Sequence, residues 1–161
     1  MERHFSARHR LEHPLPDRAT RTAGQRSARC RAVCTFSDVI ARLDEGFERY
    51  RSDESDAQIR DGLIQRFEFT YDLAHKMLRS ALEAGAANPE EIDRRTFPDL
   101  IRTGVEQGLV AGQWPEWRTF REMRNITSHT YDEAKAVQVV AAIPAVLAEA
   151  RGLLDRLQAR A

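Results

Sequence analysis

The chain has two cysteines in 161 residues, Cys30 and Cys34, and no other Cys or suitably spaced His accompanies them. This excludes a disulfide-stapled framework and makes a poor zinc pattern, so both read as free thiols in a reducing cytoplasm. Long hydrophobic runs are also missing. The longest, Val137 to Leu147, is interrupted by Gln138 and Pro144 and is too short to span a bilayer. No membrane contact is expected. Alternating strand patterns are nearly absent, which leaves an all-α protein. The formal net charge is zero, so no global field attracts nucleic acid. Any RNA contact must rest on a local patch.

The zero net charge conceals an asymmetry. Residues 1–31 hold eight Arg against Glu2, Glu12 and Asp17, a balance of +5, and the rest therefore carries −5. That first stretch shows almost no apolar periodicity and cannot bury enough surface to offset its ordering entropy. We read 1–34 as a disordered basic extension and 35–161 as one helical domain, long enough for a single core. A transit peptide or a nucleic-acid arm are the alternatives for the extension.

Helical patterning then recurs. Phe36, Val39, Ile40, Leu43, Phe47 and Tyr50 fall at helical spacing. Ser55 and Gln58 form a capping-box pattern ahead of a second helix that ends at Gly85. Its core stripe reads Leu63, Phe67, Thr70, Ala74, Met77 or Leu78, and Ala81. Asn88-Pro89 and Thr96 with Asp99 start two shorter pieces, the second stopping near Gly108. Trp114-Pro115 opens a helix towards Arg124. The last helix is expected from Thr130, in capping-box spacing with Glu133, to about Gln158, and Pro144 should kink or split it. The expected fold is an up-and-down bundle of four to five main helices.

Chemistry concentrates in Arg124-Asn125-Ile126-Thr127-Ser128-His129-Thr130-Tyr131. On an unbroken helix Arg124 and His129 would point about 140° apart. Thr127, Ser128 and Thr130 are poor helix-interior residues, so a break between the two is expected. A helix N-terminus just beyond His129 is a natural phosphate site. The hypothesis is that His129 takes the 2′-hydroxyl proton of RNA, Arg124 neutralises charge on the phosphoryl oxygens and Asn125 orients either partner. No metal and no cofactor is expected. On spacing alone a structural corner, in which Arg and His merely cap and pair, is the commoner outcome. His75 reads as an interhelical filler or surface residue, and Trp114 and Trp117 as core or dimer anchors. Arg118, Arg121 and Arg124 could line one basic face or be a solvated side. Arg66 and Glu68 are candidates to pair with polar groups near Arg124. With Tyr71 they are also candidate partner or dimer contacts.

Two motifs resemble a known family. Gln65-Arg66-Phe67-Glu68-Phe69-Thr70-Tyr71-Asp72-Leu73-Ala74 with Lys76, and Arg124 to Glu133, are similar to the signatures of the nucleotidyltransferase substrate-binding proteins, within the HEPN superfamily of small helical bundles. The resemblance spans roughly Phe36 to Leu157. It implies a homodimer that partners a minimal nucleotidyltransferase encoded nearby, as in toxin–antitoxin pairs. It also implies a metal-independent RNase with Arg124, Asn125 and His129 at the dimer cleft, silenced by nucleotidylation of Tyr131. An older reading of the family is a non-catalytic subunit that holds a nucleotide or substrate for the nucleotidyltransferase. One departure is His75, where the family usually has Trp.

Overall fold

The computed structural model describes residues 18–129 and 132–160, with the backbone alone for 18–27. Six α-helices follow one another: α1 (Arg18–Ser52), α2 (Ala57–Gly85), α3 (Pro89–Asp93), α4 (Phe97–Glu106), α5 (Trp114–Ile126) and α6 (Glu133–Gln158). A 3-10 turn, Thr127–His129, sits between α5 and α6. Among the described residues there is no strand, as the absence of alternating patterns implies.

The helices α1, α2 and α6 form a three-helix trunk, with α5 against α2 and α6. Because α2 touches each of the other five helices, it buries more than one stripe. Leu63, Phe67, Thr70, Ala74 and both Met77 and Leu78 are buried, and so are Ile64, Tyr71 and Leu82. From α1, Phe36, Ile40, Leu43 and Tyr50 point inward at steps of three and four residues. Each such large apolar side chain contributes about 1.5–3 kcal/mol when fully buried.

Several helix ends differ from expectation. The N-cap of α2 is Asp56, whose carboxylate accepts from the backbone N–H of Gln58 (2.8 Å) and Ile59 (3.1 Å). Ser55 instead donates to Asp53 at 2.6 Å and lowers that carboxyl's pKa. Aspartate outcompetes the neighbouring serine because its charge favours the helix N-terminus. Gly85 is the last helical residue of α2 and not the residue beyond it. The stop at Gly108 holds: its φ is 66°, and Leu109 N–H reaches the Gly104 carbonyl at 2.8 Å. Asn88 and Thr96 cap α3 and α4 as read.

The backbone is helical from Arg18, so α1 crosses the boundary drawn at residue 34. Its Arg, Ala and Gln content favours helix even without packing. Packing starts later: Ala32 and Val33 are the first described side chains against the core. Pro144 does not split α6, which runs unbroken with Pro144 exposed on its outer side. By length and mean hydropathy (1.6) α6 alone would pass for a membrane span, which the interrupted apolar run had not suggested. Ten of its side chains are buried in the bundle, Ala136, Val139, Ile143 and Leu153 completely.

Candidate functional site

Glu68, Asp72 and His75 lie at steps of four and three residues, on one stripe of α2. Arg121 and Arg124 lie one turn apart on α5, which packs against α2. The packing brings the two charged stripes together beside a ring cluster of Tyr71, Phe97, Trp114, Trp117 and Phe120.

Arg124 is held tightly there. Its Nε and one terminal nitrogen donate to the two oxygens of Asp72 at 3.1 and 3.2 Å. The other terminal nitrogen donates to Glu68 at 2.9 Å and to the Thr127 hydroxyl at 3.3 Å. Four of five guanidinium N–H donors are therefore engaged. The buried Thr127 hydroxyl also meets the Glu68 carboxylate and the Arg124 carbonyl. The hydrogen bonds to Asp72 raise the Arg124 pKa further, reinforced by the charges of Asp72 and Glu68 against a smaller burial penalty. One cation between two carboxylates leaves this trio net negative.

The helix break lies where the residue types demanded it. The α-helix stops at Ile126 and tightens into the 3-10 turn that carries Thr127, Ser128 and His129. His129 and Ser128 are exposed, as is Asn125. Thr130 and Tyr131 lie outside the described residues. The N-cap of α6 is Asp132, not Thr130: its carboxylate accepts from Ala134 N–H at 3.0 Å, and its own N–H reaches the His129 carbonyl at 3.1 Å. His129 is thus tied by its backbone to the start of α6, and Arg124 by its side chain to α2.

The other sequence candidates disperse. Glu68 reaches Arg124, but Arg66 does not. Arg66 turns to α1 and donates to the Arg42 carbonyl at 2.6 Å, over Gly46, where a Cβ would meet its guanidinium at 3.0 Å. Tyr71 is buried between Phe67 and Trp117, and burial pushes its phenol up to about 12. The three arginines of α5 also part company. Arg118 pairs with Glu122 at 2.8 Å, Arg121 lies over the Phe97 ring and Arg124 is clamped. His75 is half-buried, edge-on to Phe97 at 4.7 Å between centroids. Burial first, then Arg79 and Arg121, hold its imidazole below the usual range. Asp72 and Thr127 were not singled out from the sequence. The one available signal was the four-residue step from Glu68 to Asp72, which shows a shared face but not its occupant.

Comparison with known proteins follows the same outline. A family described as "Nucleotidyltransferase substrate binding protein like" matches residues 32–159, beginning where α1 first meets the core. The chain is 43% identical over 99 residues to a Haemophilus influenzae protein named "Probable ribonuclease HepT", covering 62% of this chain and 67% of that one. A solved structure from Haemophilus influenzae, titled as the fold of a substrate binding domain of a nucleotidyltransferase, is similar with a TM-score of 0.73 at 33% identity. It covers 78% of this chain and 98% of that chain.

Proposed function

The chain belongs to the nucleotidyltransferase substrate-binding protein family, and from that premise we propose that it is the HEPN subunit of a two-component system, a metal-independent endoribonuclease partnered by a minimal nucleotidyltransferase. The observation that carries the reading is the break after Ile126. It leaves His129 exposed one short turn from an arginine clamped in place. A relative named as a probable ribonuclease supports it.

In this reading His129 removes the 2′-hydroxyl proton of RNA. The 2′-oxygen bonds to the adjacent phosphorus, the bond to the 5′-oxygen breaks, and that oxygen takes a proton from the imidazolium. The product ends are a 2′,3′-cyclic phosphate and a 5′-hydroxyl. Arg124 works chiefly by position, with its one remaining N–H available to a phosphoryl oxygen, and Asn125 is exposed beside it. A second copy of the chain would complete the cleft. Among the described residues Phe69, 61% exposed, and Val137, 47% exposed, are the large apolar side chains left for such a partner. Nucleotidylation of Tyr131 would add charge and bulk next to His129 and silence the site. A cytoplasmic location follows from an RNA substrate and free, exposed thiols.

The purified full chain should cut single-stranded RNA in the presence of chelator, leaving cyclic phosphate ends. His129→Ala should leave the RNA intact. Equal cutting by both proteins sinks the proposal. Mass spectrometry of Tyr131 after incubation with the partner and ATP tests the silencing.

A second reading has its own support. The trio of Arg124, Glu68 and Asp72 is net negative, which disfavours the extra charge that grows on a phosphate while it is being cut. A non-catalytic subunit that holds a nucleotide or substrate for the nucleotidyltransferase needs no charge stabilisation there. Nucleotide binding without RNA cleavage would favour it.

A further inference from the structure

Arg124 is clamped, so a ligand beside it must find a second cation. Arg121, one turn earlier on α5, is exposed, and among the described residues no carboxylate is within ion-pairing distance of it. Its guanidinium carbon instead rests 5.4 Å from the centroid of Phe97. The same ring touches His75 edge-on, so one small ligand can reach both residues. Between them is an open pocket of about 380 Å³, lined by Tyr71, Asp72, His75, Phe97, Arg121 and Asn125 beside Arg124. That volume is within the range of small-ligand sites.

The ring of His75 forms part of the pocket wall, with its Nε2 shielded from solvent. The pocket also offers a flat cation on an aromatic ring, the arrangement on which unpaired bases stack.

We propose that this pocket is a subsite for one unpaired RNA nucleotide, its base stacked on the exposed face of Arg121 against the wall that Phe97 and His75 form, its phosphate turned towards Asn125. The inference rests on the reading of the Arg124–His129 region as an RNA site and adds to it a place for a neighbouring base. Arg121 is then the group that meets this nucleotide, and Arg124 keeps its one remaining N–H for the phosphate being cut.

The experiment titrates the full chain with the four ribonucleoside 5′-monophosphates and with ribose 5-phosphate as a base-free control, by calorimetry or by imidazole NMR shifts. At least one nucleotide should bind better than ribose 5-phosphate. Arg121→Ala should weaken it about tenfold or more, the loss of one stacking contact, and the pocket-filling His75→Trp should weaken it about as much by taking the place of the base. Retained folding of each variant is read from its circular dichroism. If no nucleotide outbinds ribose 5-phosphate, or if both pocket variants bind like wild type, the subsite is wrong. The two proposals fail separately. Intact RNA with His75-dependent nucleotide binding removes the RNase and keeps the pocket. RNA cut by wild type with no base preference and no nucleotide binding removes the pocket and keeps the RNase.

Discussion

Arg124 and His129 are five residues apart in the chain and belong to different mechanical worlds. Arg124 lies inside a helix, with four N–H groups fixed by α2 and by Thr127. His129 lies beyond the helix end, exposed, on a turn tied to α6 through its own carbonyl. The first residue is part of the framework that orients α5 on α2, and the second is presented by that framework. A cluster that reads as one unit in sequence is therefore two devices, and substitutions should separate them.

The largest expected effect is at His129. His129→Ala should lower RNA cleavage by about 10²–10⁴-fold, the usual contribution of a positioned general base. Its melting temperature should stay at the wild-type value, because exposed substitutions away from packed features change stability by less than about 0.5 kcal/mol. A variant that loses both activity and stability would show that the turn is framework too, and the contrast would collapse.

Arg124→Ala comes next. It leaves Glu68 and Asp72, at 28% and 45% side-chain exposure, facing each other without a cation. Breaking a fully buried pair costs about 3–5 kcal/mol. Solvent reaches this one, so about 1–3 kcal/mol is expected, or roughly 2–4 °C per kcal/mol in a domain of this size. Adding Glu68→Gln to Arg124→Ala should recover part of the loss by removing one of the opposed charges. No drop in the thermal melt for Arg124→Ala would place Arg124 outside the framework.

How legible this division was depends on the range of the interaction. The helix break could be read because Thr127 and Ser128 resist helix locally. The stop at Gly108 and the caps at Asn88 and Thr96 could be read for the same reason. Where two capping residues compete within a few positions, as Ser55 does with Asp56, pattern alone chose the wrong one. The same contest near α6 ended with Asp132 as the cap. The clamp on Arg124 joins residues more than fifty positions apart. A single sequence shows that Glu68 and Asp72 share a face, but not which helix arrives there. The continuity of α6 through Pro144 was likewise settled by packing, since Ile143, Val146 and Leu147 hold both sides of the proline in the core.

Asp132→Ala should have an intermediate effect. It removes the cap on α6 and costs about 1 kcal/mol. The backbone bond from Asp132 N–H to the His129 carbonyl is kept in this variant, but the helix start to which it ties His129 is loosened, so cleavage should fall by more than stability alone explains, and a lower kcat at unchanged RNA affinity is the signature. A full rate in folded protein would mean that the turn holds His129 without the cap.

The smallest effect sharpens the framework side through pH. His75 is packed against Phe97, and its imidazole is held below its usual pKa, by burial first and then by Arg79 and Arg121, with Asp72 opposing them. The unfolded chain therefore binds the proton first as pH falls through about 6.5. Stability attributable to this residue is complete above that pH and drains away below it, until the folded site also takes a proton. Wild type should lose more stability than His75→Phe between neutral pH and the mildly acidic range, measured by urea melts at each pH. Phenylalanine keeps the ring contact and removes the titration, so the difference isolates the imidazole. Parallel losses in the two proteins would show that the folded site accepts the proton freely.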